Sequence, residues 1–147
     1  MTHGLRFPTP VEAALAYVRV YNSHDPVALR ALYADEFLVE NPLWSGSKPV
    51  DETVATLQHV WDTLPGARFD LKNVVSQGPV AVIEFDFVWD DSRPEALDGN
   101  GGSPVERRTP VVDVFHVVDG KLAGLRAYMN SDLMHRWLDE MGGTIAA

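Results

Sequence analysis

The 147-residue sequence contains no cysteine, which excludes a disulfide framework, a thiol nucleophile and a cysteine-based zinc site. Positive charge is scarce: 12 Lys and Arg stand against 21 Asp and Glu, for a net charge of −9. Phosphate binding needs clustered cations, so neither nucleic acid nor an anionic membrane surface is expected as a partner. No apolar run approaches the roughly 18 residues that a membrane-spanning helix requires. The first residues, Met-Thr-His-Gly-Leu-Arg-Phe-Pro, lack a basic segment followed by an apolar one. No secretion signal is therefore expected, and a cytoplasmic location is. The histidines, His3, His24, His59, His116 and His135, show neither His-x-His nor His-x-x-x-His spacing, so no metal site is expected. The glycines at 99, 101 and 102 carry no Gly-Lys-Ser/Thr ending and open no helix, so they are not a phosphate loop, and no cofactor is implied.

What is present is a hydrophobic fraction of 46%, in a length suited to a single domain, 1–147, with a full core. Thr9-Pro10-Val11-Glu12 is a capping box with proline at the first helical position, and Val11, Ala14, Leu15, Val18 and Tyr21 follow at helical spacing. Asp25-Pro26 opens a shorter helix carrying Leu29, Leu32 and Tyr33. Phe37 to Asn41 is extended and ended by Pro42. A third helix starts near Val50, carries Val54, Leu57, Trp61 and Leu64, and stops at Pro65-Gly66. From Ala67 the period changes to two. Strands are expected at 67–72, after the Gln77-Gly78-Pro79 turn from Val80 to Trp89, and as a hairpin of Val105–Val118 with Lys121–Asn130 across Asp119-Gly120. The polar stretch from Asp90 to Pro104 reads as the longest loop, and a last helix runs from Ser131 to Met141. Helices first and an antiparallel meander after them define an α+β fold. Three N-terminal helices and a short C-terminal one would pack on a curved antiparallel sheet and enclose a cone-shaped pocket.

Asp113 is the residue in this pattern that asks for chemistry. Alternation puts Val111, Asp113, Phe115 and Val117 on one face and Val112, Val114 and His116 on the other. A carboxyl group among valines loses its hydration and must find a partner or keep a proton. The bland alternative is an acid at a sheet edge, facing water. Tyr17 falls on the inner arc of the first helix, as a core aromatic with a satisfied hydroxyl or as a second polar group of the same pocket. Asn41 follows the short Val39-Glu40 strand. Aromatics to line the pocket are plentiful: Tyr21, Phe37, Trp44, Trp61, Phe85 and Phe87. Trp89, Phe115, Ala127 and Met129 continue the expected lining on the later strands. Such a cavity suits a flat or polycyclic apolar compound bearing one carbonyl or hydroxyl.

The segments Ala-Tyr-Val-Arg-Val-Tyr-Asn-Ser-His-Asp-Pro, Leu-Tyr-Ala-Asp-Glu-Phe-Leu-Val-Glu-Asn-Pro and Pro-Val-Val-Asp-Val-Phe, with Leu-Arg-Ala-Tyr-Met-Asn-Ser-Asp-Leu-Met near the end, resemble the ketosteroid-isomerase-like branch of the nuclear-transport-factor-2 superfamily. Polyketide-cyclase-like (SnoaL-like) proteins and limonene epoxide hydrolases belong to the same superfamily. The resemblance runs from about Val11 to Met134 and implies the cone fold, a homodimer and a small-molecule pocket. It also implies an oxyanion site in which Tyr17 and a protonated Asp113 donate to a substrate oxygen. Asn41 departs from the isomerase pattern, which has aspartate there as the proton carrier; an amide cannot act as a general base at neutral pH. The epoxide hydrolases place asparagine near this point, but their acid on the last strand would fall at Ala127. The readings are thus an isomerase- or cyclase-like enzyme on a hydrophobic carbonyl compound, a binding protein that kept the pocket, or a dimerisation module. The expected dimer contact is the outer sheet face, through Val112, Val114, His116, Arg126 and Tyr128.

Overall fold

The computed structural model describes residues 7–146; His3 lies outside them. Helix α1 (Pro10–Ser23) begins where expected, with Thr9 Oγ1 accepting from the Glu12 amide at 3.2 Å. Helix α2 (Pro26–Leu32) is capped by Asp25, whose side chain accepts from the amides of Val27 and Ala28. Strand β1 (Tyr33–Glu40), a three-residue β2 (Ser47–Pro49) and helix α3 (Val50–Thr63) follow. Then come β3 (Arg68–Gln77), β4 (Val80–Asp91), a short α4 (Pro94–Asp98), β5 (Val105–Val118), β6 (Lys121–Met129) and α5 (Ser131–Glu140). Among the described residues no helix is long and apolar enough to cross a membrane.

The expected α+β arrangement of helices on a curved sheet is the observed one. The six strands are ordered β2-β1-β6-β5-β4-β3. Every pairing is antiparallel except β1 with β6, which is parallel. The chain reaches that position by crossing from the first strand to the last, a long-range step that local alternation does not announce. The β5–β6 hairpin turns at Asp119 (φ 49°) and Gly120 (φ 74°), two consecutive left-handed residues that match the strand twist. Inward residues of β4 and β5 alternate as their sequence predicts: Ala81, Ile83, Phe85, Phe87 and Trp89 are buried, as are Val111, Asp113, Phe115 and Val117.

Two local readings are corrected. Tyr33 does not end α2; its backbone is already extended, and it opens β1. The segment 90–104 is not a plain loop, because β4 continues through Asp91 and α4 follows. Asp91 is fully buried. Its carboxylate accepts from Arg93 Nε (2.9 Å) and Nη2 (2.8 Å), from the Arg93 amide (3.1 Å) and from Arg107 Nε (3.0 Å). These bonds tie the end of β4 to α4 and to β5.

Candidate active site

Helix spacing places Tyr17 and Tyr21 on the buried face of α1, four residues apart. Tyr21 stacks on Phe69 with ring centroids 3.7 Å apart, and the Tyr17 ring meets Phe115 edge-on at 5.0 Å. Tyr33, at the start of β1, stacks on Phe37 at 4.1 Å. These contacts aim three phenols at one cavity, whose floor is β5. There Asp113 sits at 3% exposure, paired across the sheet with Ile83 on β4 and Ala127 on β6. The cavity has a volume of about 40 Å³.

Tyr17, Asp113, Asn41, Tyr21, Trp44, Phe85, Phe87 and Met129 all line this cavity. Phe37, Trp61, Trp89 and Phe115 are buried but lie behind the lining, in contact with other aromatics: Trp61 with Tyr21 and His24, Trp89 with Trp137. Ala127 borders a separate outer groove. Tyr33, Thr53, Leu57, Phe69 and Leu125 join the lining without having been singled out from sequence. Tyr33 could have been found by the same test as Tyr17, a phenol on a buried face, had its strand been recognised.

The electrostatics follow from burial. Asp113 has lost its hydration and receives no hydrogen bond, so its pKa is pushed up to about 8. It is the acid form that predominates at neutral pH, a donor as well as an acceptor. Burial also raises the Tyr17, Tyr21 and Tyr33 phenols well above their ordinary range, and the neighbouring Asp113 pushes in the same direction. The Tyr33 hydroxyl reaches no partner at hydrogen-bonding geometry, although Tyr17 lies close enough to influence its ionisation. The result is a set of neutral O–H groups with no basic side chain among them.

Asn41 is built differently. Its Oδ1 accepts from the Leu43 amide at 2.9 Å, and its carbonyl accepts from the Trp44 amide at 3.1 Å. The acceptor end is thereby used in a turn, which leaves the Nδ2 amide as the end that can serve a ligand. Extending the β1–β6 register sets Asn41 level with Ala127, which pairs with Asp113. Two strand spacings, about 10 Å, thus separate Asn41 from Asp113. Among the described residues no group of His, Asp or Glu is placed to hold a metal ion.

A curved sheet with an inward-facing acid, under helices and a strand that bring three phenols to it, is the architecture that the comparisons place. The model of the SnoaL-like domain matches residues 14–125, and the chain belongs to that family. No curated protein matches it. Among solved structures it is similar to IdmH, a proposed polyketide cyclase from Streptomyces antibioticus, at 15% identity and a TM-score of 0.73, covering 90% of this chain and 99% of that one. It is also similar to TerC co-crystallised with polyporic acid, at 17% identity and a TM-score of 0.70, over 88% of this chain and 98% of the other. A third, a protein of ketosteroid-isomerase-like fold from Catenulispora acidiphila in complex with trimethylamine, matches at 13% identity and a TM-score of 0.68, over 92% and 95%. At these identities the likeness is one of fold.

Proposed function

We propose that the protein binds a hydrophobic, carbonyl-bearing small molecule of polyketide-like or steroid-like character in the central cavity, and that it promotes cyclase-type chemistry at that carbonyl. One observation carries the reading: a buried, protonated Asp113 without a hydrogen-bond partner faces the same cavity as three phenols. Donors arranged in this way bind an oxygen more tightly as it gains negative charge, which lowers the barrier to an enolate. The proton balance closes within the ligand. In an enolised 1,3-dicarbonyl segment the electron pair of the enol C=C forms a C–C bond to a second carbonyl carbon of the ligand, whose C=O π pair moves onto its oxygen. That oxygen takes the enol O–H proton, so the ring closes with no external reactant while Tyr17 and Asp113 stay protonated as donors.

Asn41 argues against a steroid-isomerase mechanism, because its amide cannot carry a proton between carbons. Water activation of the epoxide-hydrolase kind is opposed by Ala127, which stands where that resemblance requires an acid and has no acid–base group. A binding protein without catalysis is the second reading, favoured by a lining that holds no basic side chain. Titration with 2-naphthol, a phenol with the charge distribution of an enol, tests the site. Saturable binding is expected. It should weaken at least tenfold in Asp113→Ala, stay unchanged in Glu40→Ala, and fall as pH rises through about 8, where Asp113 stops donating. Absence of saturable binding, or equal affinity in Asp113→Ala, overturns the reading.

A further inference from the structure

Asn41 and Trp44 have the cavity on one side and an open groove on the other. The groove, about 420 Å³, is walled by Glu40, Pro42, Gly46, Ser47, Arg126 and Ala127. The cavity, at about 40 Å³, has room for only about two or three water molecules. A ring that reaches Asp113 must displace a wall. Most walls cannot move cheaply, since Tyr17, Tyr21, Phe69 and Phe85 belong to α1 and the sheet and are packed on one another.

Trp44 is held otherwise. It is 6% exposed and belongs to the turn between β1 and β2. That turn is fastened at its start by the two Asn41 hydrogen bonds. It ends at Gly46, which takes the left-handed conformation (φ +74°) with open space where a side chain would stand. The Trp44 indole Nε1–H, like those of Trp61 and Trp89, has no acceptor within the protein, so no side-chain hydrogen bond holds the ring in the closed position. From outside, the ring is touched by the Lys48 ammonium, 4.9 Å from its centroid.

We infer that Trp44 sets which ligands the cavity accepts: the ligand displaces the indole, joins cavity to groove, and is read at both ends. This rests on the carbonyl-binding reading above. Inside, Tyr17 and Asp113 hold one oxygen. Outside, Asn41 Nδ2, Ser47 and Arg126, the last also on Glu40 at 3.0 Å, offer donors to a second acceptor. The ligand class is therefore an elongated, flat apolar body with a carbonyl or phenol at one end and a carbonyl or carboxylate at the other.

Protein labelled with 5-fluorotryptophan, its four tryptophans assigned by single Trp→Phe substitutions, is titrated with 2-naphthol and with 6-(4-carboxyphenyl)-2-naphthol. The Trp44 fluorine resonance is expected to move to a new position as either ligand saturates. Arg126→Ala should weaken the long ligand at least fivefold and leave the short one unchanged, and Trp44→Ala should speed association of the long ligand at least fivefold. If Trp44→Ala does not fold, the labelled wild type decides. Saturable binding of 2-naphthol with a stationary Trp44 resonance overturns the displacement, and equal effects of Arg126→Ala on both ligands overturn the outer contact. No binding of 2-naphthol at all is the separate failure of the carbonyl-binding reading.

Discussion

Asp113 has an ordinary pKa of 3.8 as a free carboxyl and one of about 8 in the fold. A group whose acid form is favoured in the folded state costs stability wherever the unfolded chain would ionise it. Below pH 3.8 both states hold the proton and the cost is nil. As pH rises the unfolded chain gains a hydrated carboxylate that the fold cannot match, and the penalty grows until about pH 8, reaching about 6 kcal/mol at most. Asp113→Asn keeps the shape and removes the ionisation. The variant should therefore match the wild type near pH 4 and become the more stable protein by several kcal/mol at pH 8, read from urea midpoints across that range. A stability difference that does not vary with pH would mean that Asp113 is not buried as described. Such a cost at a position that packing alone would fill with valine fits a residue kept for chemistry. Asp113 was legible because alternation and an apolar strand sufficed to bury it. Tyr33 was not, because four-residue spacing after Leu29 imitates a helix until the chain is seen to extend. Burial of Phe37, Trp61, Trp89 and Phe115 was legible too, but which of two neighbouring aromatics borders a void depends on side-chain packing, which no periodicity encodes.

The elements that sequence marked best were those with local punctuation: Thr9 and Asp25 at helix starts, Asp119-Gly120 at the hairpin. The parallel β1–β6 contact and the five-residue α4 have no such marks. Segment 90–104 reads as polar and is polar, yet its first residues form the best-satisfied ionic centre of the protein. Asp91 is 0% exposed, and hydrogen bonds from the Arg93 side chain, with further help from Arg107, hold its carboxyl well below the usual range. Its behaviour is the mirror image of Asp113: its contribution is complete above the unfolded pKa of 3.8 and is lost as pH falls below it. Removing Asp91 forfeits its charge-assisted hydrogen bonds, while Arg93 keeps Glu140 and both arginines reach water, so the loss is about 1.5–3 kcal/mol. Asp91→Ala should show a loss of that size in urea unfolding at pH 7. Glu40→Ala, at an exposed pair with Arg126, should cost less than about 1 kcal/mol. Equal losses would mean that the Asp91 centre does not join β4, α4 and β5.

At the scale of the molecule the outer sheet face divides into two zones. Over β3 to β5, Arg68 and Arg108 bind Asp70, Asp86, Asp90 and Glu106, and their stems cover Val88, which is fully buried although it points outward. That zone is already satisfied. The other zone is not. Strand register aligns Leu38, Gly124, His116 and Val80 in one row, Glu40, Arg126, Val114 and Val82 in the next, and Tyr128 with Val112 and Glu84 beyond them. Leu38 is 53% and Tyr128 52% exposed, so the patch presents apolar area to water. We propose that a second copy of the chain covers it, in a two-fold contact where the same patch faces itself. The Glu40–Arg126 pair lies at the β1–β6 edge of the patch, beside the groove, so its charges are matched within one chain and Arg126 stays open to the groove while Val112, Val114 and Tyr128 make the contact. A chain with net charge −9 would repel its copy over most of its surface, which makes this locally balanced patch the place where close approach is least opposed. Sedimentation at micromolar concentration should give a dimer at ordinary salt. Tyr128→Glu, which plants a charge on the apolar rim, on the sheet face opposite the cavity, should give a folded monomer with an unchanged far-ultraviolet circular dichroism spectrum. A wild-type monomer, or a dimer indifferent to Tyr128→Glu and to Val114→Asp, would assign the exposed row to no self-contact.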